Sequence, residues 1–590
     1  MYTTTPNDGL AVLTAGRRLV ELPFRHNVDD HNVWRVALGM KGDLGDVSDS
    51  FLRNLSYDAY FTFSRSEDSS RQEGAASRSR YAAALLSSGL NPPVANIFGQ
   101  NLSAAAVNAI KINATNVTNA EQKVAVATLG GEAFDMPAGA VNFSVGLEWR
   151  TAEAEYIPDE YLRSGDVIGF NPGLPTSGDV TVNEIFTEVR VPILAELPFV
   201  QKLTANGGYR SSDYDLDGVG RVETYLYGLD WRVNDSVAFR GQFQRAIRAP
   251  NIGDLYGGLQ LNFQTLNDPC SSRNTANQTA AVRALCVATG VPTASVFTAG
   301  VQPDNIIPTR SGGNVNLQEE TSDTTTLGVV FSPTFLDNLV VTLDYFDIKL
   351  DGAIAQLGGG AQNTLNLCYL TVQDASSDFC QSVHRNPASG SITVPYSLDV
   401  LQANIGRLAT IGYDLGARYG WDVGFGMEGG SRFDITTQWT YTDKFTITPM
   451  QAVPANKNRC VGAYGSTCGE PIPQYKGVTR FSWTTGPLGV SLRHRFIDSV
   501  TTDRIVLPKT AGLTPPLATT LTNPSFDAMN YFDLSATFDI GEKAEIYAGV
   551  NNVLDEDPPI VAGFGGYGNT FPSTYDYAGM TVFMGVNVSF

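Results

Sequence analysis

Apolar residues occupy every second position over long stretches of this chain. Counted back from Phe590, the alternate residues Val588, Val586, Met584, Val582 and Met580 are apolar. The residues between them, Ser589, Asn587, Gly585, Phe583, Thr581 and Gly579, are mostly small or polar. A period of two marks a β-strand with one greasy and one wettable face. The pattern recurs upstream. Val141, Phe143, Val145, Leu147 and Trp149 alternate with Asn142, Ser144, Gly146, Glu148 and Arg150. Phe433, Ile435, Thr437, Trp439 and Tyr441 oppose Arg432, Asp434, Thr436, Gln438 and Thr440, and Phe532, Leu534, Ala536, Phe538 and Ile540 oppose Tyr531, Asp533, Ser535, Thr537 and Asp539.

Counting such segments predicts about 18 strands, near 14–21, 33–42, 55–67, 123–135, 141–154, 181–194, 203–214, 222–233, 237–247, 323–331, 339–350, 404–420, 430–441, 475–485, 490–498, 529–539, 544–553 and 577–590. Connections alternate in length: short at 234–236, 332–338, 486–488 and 540–543, long at 66–122, 248–322, 351–403, 442–474 and 499–528. Within the first long one, Ala104–Ile110 reads as a short surface helix. An even strand number, tight turns at one end and long loops at the other predict an all-β fold, a transmembrane antiparallel β-barrel. Loops of this length are rare in compact soluble domains. Many strands begin or end in Trp, Tyr or Phe; aromatic girdles at the membrane interfaces would put them there, and so would the plain preference of aromatics for strands.

Charge and composition narrow the classes. The 590 residues carry a formal net charge of -20, which argues against nucleic acid as a partner. No run approaches the roughly 18 apolar residues of a membrane helix, so any crossing must be made by strands. Met1-Tyr-Thr-Thr-Thr-Pro-Asn-Asp has neither the basic region nor the apolar core of a signal peptide, so the chain is expected to be a fragment or to have a misplaced start. Six cysteines fall in three close pairs, Cys270/Cys286, Cys368/Cys380 and Cys460/Cys468, all in long connections. Local disulfides in an oxidising compartment are expected; free thiols are the alternative.

No catalytic constellation, metal site or cofactor motif is visible. His26, His31, His384 and His494 are scattered, and Leu357-Gly-Gly-Gly360 lacks the Lys-Ser/Thr of a phosphate cradle. Two features suit ligand capture. Phe564, Tyr567 and Phe571 lie in a glycine-spaced loop whose rings either stack on a sugar or planar chelate or pack on neighbouring loops. Arg493 and Arg495 share one strand face, where they either bind an anionic ligand or a plug, or form an ion-pair ladder with facing carboxylates.

Five stretches resemble the β-barrel of TonB-dependent outer-membrane receptors. They are Ile247-Arg-Ala-Pro-Asn-Ile252, Gly313-Asn-Val-Asn-Leu-Gln-Glu-Glu-Thr-Ser322, Val341-Thr-Leu-Asp-Tyr-Phe-Asp-Ile348, Gly549-Val-Asn-Asn-Val-Leu-Asp-Glu-Asp-Pro558, and the segment from Tyr575. Val315 and Glu319 stand where the family usually has proline, and Met580 where it has arginine. Gly585, Val588 and Phe590 fit the family's barrel-assembly end signal, with Phe583 at a position that is usually polar. The resemblance implies an outer-membrane receptor whose barrel catches a scarce small-molecule solute (a ferric siderophore, cobalamin or oligosaccharide) and is energised by TonB through a plug. Its implied partners are outer-membrane lipid, the barrel-assembly machinery and, through the plug, TonB. No plug or TonB-contacting segment is visible, so residues 1–590 are expected to form a truncated family barrel, about four strands short of 22. On that count the first strand runs opposite to the last. The competing readings are a passive, plug-free pore and a secreted all-β adhesin or enzyme.

Overall fold

The alternating segments assemble into one antiparallel sheet in the computed structural model, which describes residues 17–86, 95, 102–170, 172–273, 275–451, 453–465, 467–510, 512, 514–541, 543–561 and 569–589. Seventeen long strands make its wall. The first eight are β1 (His26–Gly45), β2 (Phe51–Ala76), β3 (Lys111–Met136), β4 (Gly139–Ile157), β5 (Thr176–Leu197), β6 (Val200–Tyr214), β7 (Arg221–Arg232) and β8 (Val237–Arg248). After a long loop come β9 (Glu320–Phe331), β10 (Val340–Gln356), β11 (Gln402–Val423), β12 (Ser431–Thr448) and β13 (Tyr475–Thr485). The wall ends with β14 (Leu488–Ile497), β15 (Met529–Ile540), β16 (Ala544–Asn551) and β17 (Thr581–Val588). Each pairs with the next, so the order is a simple meander. A two-residue strand, Asn458–Arg459, beside the outer end of β12 is the eighteenth member of the sheet.

The expected strand near 14–21 does not form: its described part, 17–21, is coil and turn. Arg17 is ion-paired with Glu21, and Leu19 and Leu22 pack against Ala84, Ala106 and Ile110 under the first long loop. Their apolar surface is used by a cap, not a wall. The helix at Ala104–Ile110 is present as expected, begun by Ser103, whose hydroxyl accepts from Ala106 N. With one long strand fewer, β1 runs in the same direction as β17, the reverse of the sequence expectation. These two strands are the edges of the sheet among the described residues. Brought together they would pair in parallel, and an odd number of further strands restores antiparallel closure.

Register shows why the alternation matters. Ile435, Phe481, Leu492, Leu534, Val550 and Val582 lie directly opposite one another across β12 to β17, making one apolar row. The next row on the other face is Asp434, Ser482, Ser491, Ser535, Gly549 and Phe583. No protein covers the apolar face: Val582 is 71% and Met584 81% exposed. In water this would be an extensive exposed patch; in lipid it is the surface the solvent demands.

Aromatic residues bracket that face. Tyr345, Tyr413, Tyr441 and Tyr475 form a ladder in direct register across β10 to β13, with ring centroids 5.5, 6.3 and 5.0 Å apart. Toward the other end, Phe433 stacks with Trp421 (5.4 Å), Phe481 (5.6 Å) and Trp483 (6.4 Å). Tyr441 and Phe433 lie eight positions apart on β12, roughly 26 Å along a strand. A tilt of about 40° reduces this to about 20 Å, near the apolar height of about 25 Å in outer-membrane barrels.

The last strand also explains its own glycine. A Cβ on Gly585 would lie 2.3 Å from the Tyr547 ring opposite, and one on Gly549 would lie 2.4 Å from the Phe583 ring. β16 and β17 thus exchange an aromatic for a glycine in both directions, each ring lying over the bare backbone of its partner. Phe583 points to the inner face and is accommodated there by Gly549.

Candidate functional site

The polar face of the sheet becomes the lumen of a barrel, and charged pairs cross it strand to strand. Arg210 on β6 donates to Glu184 on β5 (2.7 Å) and reaches Glu148 on β4 (3.4 Å). Arg240 on β8 makes a two-pronged contact with Asp344 on β10 (2.8 and 2.6 Å), passing over Gly328 of β9. A Cβ on Gly328 would lie 2.0 Å from the Asp344 carboxylate. Arg245 holds Asp323 through two bonds of 2.7 Å. A groove of about 590 Å³ opens beside Arg240, Asp344, Asp414, Gln242 and Gln438.

Arg493 and Arg495 lie on this face, as the alternation requires. Arg493 Nε donates to Asp533 Oδ2 (2.7 Å). Arg495 bonds both oxygens of Asp533 (3.0 and 3.1 Å) and Asp576 Oδ2 (2.7 Å). Asp533 also accepts from Asn552 N (2.8 Å), and Asn552 sits in the Gly549–Pro558 turn. The two arginines therefore tie the outer ends of β14 and β15 to the loop before β17, which is the ladder arrangement.

Two other motif stretches meet at the outer end of β8 and β9. Arg248 of the Arg-Ala-Pro segment is ion-paired with both Glu320 and Asp254. Glu320 in turn accepts from Ile354 N (2.7 Å) on β10. Asn314 N donates to Asp254 O (2.8 Å), and Asn314 Nδ2 to Gln402 O (2.9 Å). The motif is thus a clamp that sets where the outer loops leave the wall.

Among the described residues, two outer-loop lobes carry the disulfides and have cores of their own, beside smaller buried clusters under the first long loop and around Val167. The first joins the loops 249–319 and 357–401. Its core includes Leu285, Val301, Ile307, Leu365, Tyr369, Leu398 and Val400. Disulfides Cys270–Cys286 and Cys368–Cys380 staple it. At its centre Arg385 grips Asp268 with two bonds (2.6 and 2.9 Å), both side chains 1% exposed. Tyr369 Oη accepts from Arg385 (3.0 Å), and Gly390 O accepts from it as well (2.8 Å). Burial pulls the Arg385 guanidinium down, but Asp268 and Tyr369 lift it well above its ordinary value, so it stays charged. Burial pushes the Tyr369 hydroxyl up, with the Asp268 charge adding to it against Arg385 and Thr289.

The second lobe is built from the described residues of 458–474, 498–528 and 552–580, with disulfide Cys460–Cys468. Tyr464 stacks on Phe526 at 4.3 Å, and Phe571 meets Tyr464 edge-on at 5.8 Å. Phe571 is 3% exposed, its ring packed against its neighbours. Phe564 and Tyr567, like Phe590, lie outside the described residues. The Tyr464 hydroxyl is pushed up to about 12 by burial, aided by the Asp503 charge. Burial, then Tyr531 and Tyr464, pushes Tyr575 up too. Among the described residues no group of three or more His, Cys, Asp or Glu is placed to hold a metal ion.

Sequence reasoning missed the Asp268–Arg385 pair, whose members are 117 positions apart. It also missed Arg480, which shares the inner face with Arg493. The signal for Arg480 was present: it alternates with Phe481 as Arg493 does with Leu492.

Against this geometry, the family model for the TonB dependent receptor-like β-barrel matches residues 2–553. No curated protein matches the chain in sequence. Among solved structures, the siderophore receptor PirA from Acinetobacter baumannii matches with a TM-score of 0.50 at 14% identity, over 96% of this chain and 71% of that one. The ferric-catecholate import receptor Fiu from E. coli K12 matches with a TM-score of 0.50 at 11% identity, over 96% of this chain and 65% of that one. The chain thus spans about two thirds of the length of these two proteins.

Proposed function

The chain belongs to the TonB-dependent receptor β-barrel family, a family of receptors and transporters, and from this we propose that it forms barrel wall and outer loops for TonB-energised uptake of a scarce solute across a Gram-negative outer membrane. The observation that carries the reading is the two-faced wall: an apolar belt bracketed by aromatics on one side, an ion-paired polar lining on the other. A soluble adhesin or enzyme has no use for the first of these. The solute would be a small molecule of the ferric-chelate, cobalamin or oligosaccharide class, caught between the two disulfide-stapled lobes. TonB would act through a plug domain, and barrel-assembly machinery would insert the wall, recognising the last strand at Gly585, Val588 and Phe590.

Uptake tests the reading. In cells carrying the protein, accumulation of the labelled solute is expected to require TonB. Equal accumulation with and without TonB would contradict energised transport. A large steady current from the purified protein in a planar bilayer would point instead to a passive pore. Removing Phe590 is expected to lower the membrane-assembled fraction, read as heat-modifiable gel mobility, more than any single loop substitution; unchanged assembly would count against the barrel reading.

A further inference from the structure

We propose that the outside of the wall, just above the tyrosine ladder on β12, holds a phosphate-bearing glycolipid of the outer leaflet through Lys444, Lys457 and Arg459. A bulge sets the geometry. Along β12 the odd-numbered residues from Phe433 to Tyr441 face lipid, Tyr441 in register with Tyr413 and Tyr475. Gly412 pairs with Thr442, but Ile411 pairs with Lys444, so Asp443 is an extra residue. One extra residue reverses the alternation beyond it and re-aims the side chains that follow. Lys444, which unbroken alternation would turn inward, stands instead opposite Ile411 on the lipid-facing side. Thr446 shares that side and pairs with Arg459. Directly opposed residues point to the same face, so Lys444 and Arg459 are both on the outside of the wall.

Register also gives their height. Lys444 lies three residues beyond Tyr441, about 10 Å along the strand and about 8 Å along the membrane normal at a barrel tilt of about 40°. Tyrosine rings mark the edge of the apolar belt, so the cations above them are level with the lipid headgroups.

The charges there are unmatched. The chain carries 60 Asp+Glu against 40 Lys+Arg, yet residues 444–469 hold three cations and no carboxylate. Neighbouring cations on the same side are neutralised, Lys349 by Asp347 (2.9 Å) and Arg407 by Asp351. Among the described residues Lys457 and Arg459 have no ion-pair partner, and Lys444 has only its chain neighbour Asp443, at 3.9 Å. All three are exposed. Exposed cations hold a free anion weakly. A glycolipid differs, because its acyl chains lie on the apolar face below and bring its phosphates to this height. Tyr441 and Tyr475, with ring centroids 5.0 Å apart, border the patch and offer ring faces to its sugar. The cation patch is thus continuous with the lipid belt, and the proposal rests on the reading of the wall as an outer-membrane barrel.

The test is titration of lipid A into the protein purified from outer membranes in detergent and washed free of lipid, followed by native mass spectrometry. Wild type is expected to bind bisphosphorylated lipid A about tenfold or more tighter than the same lipid stripped of its phosphates. Lys444→Gln with Arg459→Gln should weaken binding of the bisphosphorylated form about tenfold to thirtyfold, the loss of two headgroup-attracting charges, and leave the phosphate-free form unchanged. Arg407→Gln, whose guanidinium is already matched by Asp351, should have little effect. Equal affinity for the two lipids, or no change in the double variant, would overturn the site while leaving the barrel reading standing. Displacement of lipid A by millimolar inorganic phosphate would overturn the lipid as occupant in favour of a free anion. A fall in affinity matched by a lower lipid-free melting temperature would also overturn the site, by assigning the two cations a structural role. Failure of the wild type to reach the membrane in heat-modifiable form would instead defeat the barrel reading, and the site with it.

Discussion

Arg385→Leu is expected to destabilise the first outer lobe by about 3–5 kcal/mol, because it strands the Asp268 carboxylate in a core with no counter-charge. The pair joins two loops that leave the wall at different strands, β8 and β10, so its loss separates them. Limited proteolysis should then cut within 249–319 or 357–401 under conditions where wild type resists, while the wall stays heat-modifiable. Replacing both partners, Asp268→Leu with Arg385→Leu, should recover a large part of the loss, since an apolar pair leaves no buried charge. If the single substitution leaves the loops as resistant as wild type, the pair is not what holds them together. The disulfides cannot substitute for it. Each closes a loop within one segment, Cys270–Cys286 and Cys368–Cys380, whereas the ion pair spans both.

Leu492→Arg should cost about 2–4 kcal/mol in bilayers, the depth-dependent penalty for a cation on the lipid face of a barrel near mid-membrane. Thr537→Lys, which places a cation on the opposite face of neighbouring β15, should cost far less, because that face meets water and the carboxylates of the lining. The contrast should appear as a lower assembled fraction, or a lower urea midpoint in vesicles, for the first substitution alone. Equal effects would mean that the two faces see the same solvent.

Much of this wall was readable from the alternation, because lipid on one side and water on the other write a period of two into each strand. The period fades where both faces are wet. Hence the strands β2 and β3 run on to Ala76 and from Lys111, past a polar stretch, Glu67–Arg71, that pairs with Thr115–Asn119 and carries no apolar stripe. The segment near 14–21 misled for the opposite reason: Leu19 and Leu22 are apolar because they cover a loop helix, not because they face lipid. The disulfides were legible because each pair is close in sequence. The buried Asp268–Arg385 clasp was not, since nothing local marks a charge that will be matched across two loops. Arg493 and Arg495 were placed on the correct face, but the identity of their partner, Asp533, comes only from register.

The central claim is that one face of this sheet lies in lipid and the other lines a water-filled interior. All six native cysteines are in disulfides, so single cysteines introduced along β14 from Val490 to Arg495 can carry a nitroxide label. In proteoliposomes, collision rates with dissolved oxygen should peak at 490, 492 and 494, and those with a water-soluble nickel chelate at 491, 493 and 495. A flat profile, or nickel access at every position, would contradict the account.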